Sequence, residues 1–195
     1  MSDFSVVSEV GNEILKLLRE HICPELIQSP ESIKMVSPAE KNADFQLGLY
    51  LYDIQEIREY QQVEKIRLGA KKARFPSKPL NLFFVLYINS KSQMMSDAEN
   101  ELRIIGRAMQ VLMDNAALQR RENEEEDEGE PMITLLNLSF EDKTKLWSVL
   151  NTPYQLAVFF SVSPVLLSSE RIYSFSRVLE TEYSVDYKDG QGERI

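Results

Sequence analysis

A catalytic dyad needs a base within hydrogen-bond reach of a nucleophile, and this chain offers one imidazole, His21, and one thiol, Cys23. Pro24 follows them and stops the helical pattern they end, so the two read as the last turn of a helix. There the imidazole meets terminal backbone carbonyls and the thiol fills a small apolar gap. A single cysteine leaves no intrachain disulfide and no thiolate metal cage. Acids are plentiful, 31 in all, but they collect on polar helix faces and in one run over residues 120–130. A solvated carboxylate keeps its ordinary pKa and is a poor general acid at neutral pH. The stretch from Glu124 to Glu130 attracts cations by charge alone, because it lacks the spaced oxygen ligands of a calcium loop. Gly190 and Gly192 have no strand before them and no helix after them, which removes the context of a dinucleotide fingerprint. Tyr50 and Tyr52 share one strand face and are suited to stack on a ligand, to fill a sheet face beneath a helix or to meet a subunit. No catalytic, cofactor-binding or metal-binding residue is expected. The expected activity is contact.

The elements that must position such contacts are well signalled. Val7, Val10, Ile14, Leu17, Leu18 and Ile22 recur at helical spacing and end at Pro24. Ile33–Val36 suits a short strand. From Asp44 to Asp53 the pattern alternates, with Phe45, Leu47, Leu49 and Leu51 on one face and Gln46, Gly48, Tyr50 and Tyr52 on the other. Residues 54–79 mix charge with isolated apolar side chains and end in Pro76 and Pro79, which favour extended chain; they read as a long excursion, a hairpin or arm. Leu80–Asn89 is apolar on both faces, as a central strand covered on both sides should be.

A second helix is expected from Ser96, capped by Ser96 with Glu99, with Leu102, Ile105, Met109, Leu112 and Met113 facing the core and Asn115 as its stop. Met132–Leu138 reads as a strand, Ser139 with Asp142 as the cap of a short helix carrying Leu146, Trp147 and Leu150, and Gln155–Val162 as a further strand. Trp147 is expected in the core. Val165–Leu167, Ile172–Tyr173 and Val178–Leu179 are candidate edge strands. The fold class is α/β, a mixed β-sheet flanked by helices, in one domain over residues 1–186 with a frayed tail at 187–195.

Charge divides the surface. The net charge is -9, yet residues 120–130 hold seven acids and two bases, so the acidity is largely that of one loop, 119–131. Between Glu64 and Lys78, Lys65, Arg67, Lys71, Lys72, Arg74 and Lys78 oppose a single Glu64. An acidic chain lacks the net basic face that nucleic-acid binding requires, so no nucleic-acid partner is expected. Nor is membrane insertion, since no apolar run approaches the roughly 18 to 20 residues a spanning helix needs. The acidic opening MSDFSVVSEVGNE is unlike a secretory signal, and synthesis in the cytoplasm is expected. The arm joins steering charge to the apolar residues Ile66, Leu68 and Phe75. That combination makes Lys65, Arg67, Lys71, Lys72, Arg74 and Phe75, with Tyr50 and Tyr52, the candidate partner interface. The arm is expected to order on assembly and the acidic loop to stay mobile.

Four segments then occur together in order: Leu47-Gly48-Leu49-Tyr50-Leu51-Tyr52-Asp53-Ile54, Gly106-Arg107-Ala108-Met109-Gln110-Val111-Leu112, Trp147 with Asn151-Thr152-Pro153-Tyr154-Gln155-Leu156, and Ser161-Val162-Ser163-Pro164-Val165-Leu166-Leu167. As a set they resemble the N-terminal domain of the cap, or tail terminator, proteins of extracellular contractile injection systems, the antifeeding prophage and Photorhabdus virulence cassette class. The basic arm, the acidic loop and the short tail depart from that pattern, and many relatives continue into a further region.

The resemblance implies a phage tail-terminator-like fold and a non-enzymatic structural role. It implies a homo-oligomeric ring, a hexamer, seated on the inner tube and the last sheath layer of a particle that is released or stays inside the cell. Closing a ring by heterologous contacts gives the symmetry such a cap requires. Two other roles compete: a baseplate or tube-associated adaptor of the same particle, and a transient assembly chaperone.

Overall fold

Helix α1 (Val6–Ile22) forms where the apolar residues return every three or four positions, and its buried stripe is Val6, Val10, Ile14, Leu15, Leu18 and Ile22. Glu9, Lys16 and Glu20 lie on the solvent side. Cys23 turns into extended backbone, its N–H still donating to the Arg19 carbonyl at 3.2 Å, and Pro24 cannot continue the helix. The computed structural model describes residues 3–40, 44–58, 66–67, 72–89, 92, 97–118, 130–169 and 171–174.

Among these, the strands in chain order are β1 (Ile33–Met35), β2 (Leu47–Glu56), β3 (Ile66–Arg67), β4 (Lys72–Arg74), β5 (Lys78–Ile88), β6 (Met132–Leu135), β7 (Ala157–Leu167) and β8 (Ile172–Ser174). Helix α2 (Ala98–Asp114) lies between β5 and β6, and α3 (Phe140–Val149) between β6 and β7. The main sheet has the order β1-β2-β5-β7-β6. It is mixed because β1 runs parallel to β2 while the remaining pairs are antiparallel. A second, small sheet has the order β3-β4-β8.

The period of two along β5 distributes the core between the faces of the main sheet. Leu82, Phe84, Leu86 and Ile88 join Leu47, Leu49, Phe160 and Val162 beneath α1 and α2. Val85 and Tyr87 join Phe45, Phe159 and Trp147 on the side of α3. Thus β5 is covered on both faces, as its unbroken apolar sequence requires. Gly48 is specified by what crosses it. It is the cross-strand partner of Tyr87, and a Cβ there would stand 2.4 Å from Tyr87 Cζ. Absence of that carbon lets the Tyr87 ring pass over β2, so that its hydroxyl donates to the Val36 carbonyl at 3.0 Å.

Several expected boundaries and facings are corrected. Phe45 precedes β2 rather than alternating within it, and packs edge-on to Tyr87 at 5.8 Å on the α3 side, away from Leu47 and Leu49. The excursion is shorter than 54–79, because β2 extends to Glu56 and β5 already begins at Lys78; Glu56 and Leu80 are ladder partners. Helix α2 is capped by Asp97, whose side chain accepts from the Asn100 N–H at 2.7 Å; Ser96 lies outside the described residues. The inner face of α2 is Ile104, Ile105, Ala108, Val111 and Leu112. Leu102, Met109 and Met113, expected in the core, are exposed, Leu102 at 60% and Met113 at 62%. The apolar arc of this helix is wider than its buried part, and the helix rolls so that small Ala108 lies inward. Asn115 does end it, its N–H donating to the Val111 carbonyl.

Strand β6 stops at Leu135, three residues short of the expected end, and β7 starts at Ala157. Val165–Leu167 is no separate strand but the end of β7. Ser139 caps α3 as expected, accepting from the Asp142 N–H at 3.1 Å and donating to its carboxylate at 2.6 Å. Val178–Leu179, the tail and the acidic loop from 119 to 129 fall outside the described residues.

Candidate interaction surfaces

Strands β5 and β7 hold the small sheet at one end of the main sheet. Their ladder ends with Lys78 opposite Leu167, and the Ser77 and Ser168 hydroxyls lie 3.2 Å apart just beyond it. There β4 and β8 pair antiparallel, Lys72 with Ser174, Ala73 with Tyr173 and Arg74 with Ile172. Ala73 is buried between them. Phe75 meets Tyr173 edge-on at 4.8 Å, and the Arg171 guanidinium lies 4.9 Å from the Tyr173 ring and 5.9 Å from that of Phe75. An aromatic pair of this kind contributes about 0.5 to 1.5 kcal/mol, and an exposed cation over a ring about 0.5 to 1. Strands of two and three residues add little cooperative ladder, so these ring contacts carry much of the cohesion.

The structure brings together part of the expected interface. Lys72 is exposed, Arg74 is half-buried with Nε buried and without a hydrogen-bond partner, and Phe75 is half-buried. Phe75 packs on its own chain's Tyr173 rather than standing ready as an outward anchor. Arg67 lies in β3, opposite Ala73; Lys65 and Lys71 fall outside the described residues. Tyr50 and Tyr52 are on a different surface. They pack on the α3-side cluster, Tyr52 lying 6.1 Å from the Phe83 ring and 5.9 Å from that of Phe159. Burial, helped by the charge of Asp53, raises the Tyr52 phenol above its ordinary pKa. Arg171 was not foreseen, since a lone base in an irregular tail gives no sign of which strand it will join.

Two apolar surfaces complete the set. Leu102, Met109 and Met113 form a stripe on α2, and a Cβ at Gly106 beside them would meet nothing within 4 Å. On the opposite face of the main sheet, exposed Phe140 leans on Tyr154 at 5.5 Å, and Tyr154 meets buried Trp147 at 6.4 Å.

The histidine and the cysteine lie at the end of α1. His21 Nδ1 lies 2.9 Å from the Leu17 carbonyl, one turn back. Cys23 is partly buried, and burial raises its thiol pKa while the nearby Arg19 lowers it. Among the described residues no group of three or more His, Cys, Asp or Glu could hold a metal ion, and no helix is long and apolar enough to cross a membrane.

The family model for the Pvc16 N-terminal domain matches residues 9–181. Among solved structures, the chain is similar to the PVC sheath/tube terminator of an extracellular contractile injection system in its extended state. The TM-score is 0.65 at 16% identity, over 93% of this chain and 64% of that one. It is also similar to the tube-terminating cap of the anti-feeding prophage, with a TM-score of 0.60 at 16% identity, over 91% of this chain and 61% of that one. The chain therefore spans somewhat under two-thirds of the length of either. No curated protein matches it.

Proposed function

The chain belongs to the Pvc16 N-terminal domain family, and from that membership we propose that it is a structural terminator, capping the inner tube and sheath of a contractile injection particle. The observation that carries this reading is the likeness of fold, over more than nine-tenths of this chain, to two proteins that are themselves terminators. The exposed apolar side chains Leu102, Met113, Phe140 and Ile172 support a role in contact.

A growing tube presents the same surface after every layer. A cap must match that surface and offer no copy of it on its far side. A ring of identical subunits does both, and we take the working form to be a hexamer closed by heterologous contacts between copies and touching tube and sheath proteins. Residues 1–186 act in it as one unit, made in the cytoplasm and performing no catalysis. The arm residues Lys65, Arg67, Lys71, Lys72 and Arg74 serve contacts between proteins.

Particles produced without this protein test the reading by electron microscopy. Tubes and sheaths of uncontrolled length, or particles that fall apart from the end distal to the baseplate, are the expected outcome. Contractile particles of normal length would overturn it. Tagged protein found at the baseplate would assign an adaptor role instead, and tagged protein absent from finished particles a chaperone role.

A further inference from the structure

The described charges are separated along the strand direction. Strand β2 runs ten residues, about 33 Å, from one end of the main sheet to the other. At its far end stand residues 53–58, the small sheet and Lys78. The bases whose side chains are described there are Arg58, Lys72, Arg74, Lys78 and Arg171, against the acids Asp53 and Glu56, a balance of +3. At its near end the Ser32 carbonyl accepts from the Gln46 N–H, and the Arg19 guanidinium reaches the Ile33 carbonyl. This fixes the segment from Glu20 to Asp44 there. The described acids at this end are Glu20, Glu25, Glu31, Glu40 and Asp44, against Lys34, Arg19 on the Ile33 carbonyl and Arg107 on the His21 carbonyl, a balance of -2. The five acidic residues are exposed, whereas Lys34 is half-buried with Nζ on the Asp44 carbonyl at 2.9 Å.

Ends of opposite sign on one molecule set the geometry of self-association. Placing like ends together opposes charges of one sign, which costs several kcal/mol at a close contact. Placing unlike ends together joins two different surfaces, a heterologous contact that either closes into a ring or continues as a filament. The basic end also has what a charged patch needs to become a contact. Arg171 is held over Phe75 and Tyr173, and Ile172 beside it is exposed, so apolar area lies among the charges.

We infer that the small sheet of one copy, through Lys72 and Arg171, docks on the acidic end of the next copy around Glu25 and Glu31. This deepens the terminator reading and rests on its ring: it names the two surfaces that would join neighbouring subunits.

Purified chains of this sequence, followed by sedimentation velocity in low and high salt, test the assignment. The basic-end variant is Lys72→Glu with Arg171→Glu, and the acidic-end variant is Glu25→Lys with Glu31→Lys. Each alone should weaken self-association about 100-fold, since both reversed charges then face their own sign. An equimolar mixture should assemble like the original protein, because each variant now complements the other, and the alternating ring so formed has an even number of members. Lys72→Glu alone leaves the Arg171 stacking in place and should give a smaller loss in the same direction, which separates docking from unfolding of the small sheet.

A ring formed by the original protein and kept by both variants would overturn this contact and leave the terminator reading standing, as would variants that dissociate but fail to rescue each other. Variants that form normal rings yet lose binding to the tube would give the basic end to a tube protein, which also overturns the inference. A protein that stays monomeric at every concentration and salt removes the ring itself, and this inference with it.

Discussion

The main sheet and the small sheet differ in what holds them. The first places aliphatic and aromatic side chains on both faces of β5, with Phe84 stacked on Phe160 at 5.5 Å and Ile14, Leu18 and Leu49 fully buried against the same face. Among the described residues, the second shows one buried alanine, one aromatic pair and a guanidinium over two rings. Burial of a large side chain contributes about 1.5 to 3 kcal/mol, and the main sheet has many such side chains where the small one has few. Stability is therefore concentrated in the main sheet, while the contact proposed above lies on the small one, so substitutions in the two should affect different measurements.

Phe84→Ala makes the strongest test. Emptying a fully buried ring site in the centre of β5 should cost about 3 to 5 kcal/mol, read as a lower midpoint in urea with an unchanged slope. An unchanged midpoint would show that the core is not where the sheet places it. Next comes a paired comparison on α2. Ile104→Ala should cost about 2 to 5 kcal/mol, and Leu102→Ala, on the exposed stripe, about 0.5 or less. The opposite order would reinstate the facing expected from periodicity alone.

That pair shows what the sequence could and could not reveal. Helical spacing located α2 and its stop at Asn115, but Leu102, Met109 and Met113 obey the same period as Ile104, Ala108 and Val111. Hydrophobicity favours methionine and leucine over alanine. Packing favours the flank on which alanine lets the helix approach its neighbours, and this is a property of the partner surface. Alternation found β2 yet misplaced Phe45, because the rule holds only within a strand and Phe45 lies just before it. The basic excursion was legible as a departure from the sheet. Its attachment to Arg171 and Tyr173 was not, since β4 and β8 are about a hundred residues apart in sequence and three-residue strands carry no pattern. The reading of the chain as a contact protein came from its lack of reactive residues, and that required no tertiary information.

Smaller effects sharpen the aromatic side of the main sheet. Gly48→Ala should cost about 1 to 3 kcal/mol, because the added carbon must displace the Tyr87 ring from over β2. Tyr87→Phe should cost about 1 kcal/mol by leaving the Val36 carbonyl without its hydroxyl donor. The same tyrosine predicts a pH dependence. Burial, with a smaller effect of Tyr50, holds its phenol well above the ordinary value in the folded protein, so the unfolded chain loses this proton first. The contribution is intact below the ordinary tyrosine pKa of about 10 and is lost progressively as pH rises from there toward the folded value. Chemical denaturation between pH 8 and about 11 should show that loss in the original protein and less of it in Tyr87→Phe. Equal alkaline losses in both would assign the effect to other groups.

The smallest expected effect on stability belongs to the small sheet. Lys72 is exposed at the start of β4, where its charge contributes within about 0.5 kcal/mol to the monomer. Lys72→Glu should therefore unfold at the same denaturant concentration as the original protein. Arg74 is a poorer choice for this comparison, since its Nε is buried and a substitution would disturb packing along with charge. Deleting residues 122–128 should likewise leave the midpoint in place, because seven polar residues between α2 and β6 add no apolar burial. The two changes should separate in assembly. The lysine reversal weakens association and its salt dependence, and the deletion leaves both as they were. If the deletion abolishes assembly while the reversal is silent, the acidic loop is the contact and the small sheet is a structural brace at the end of β5 and β7.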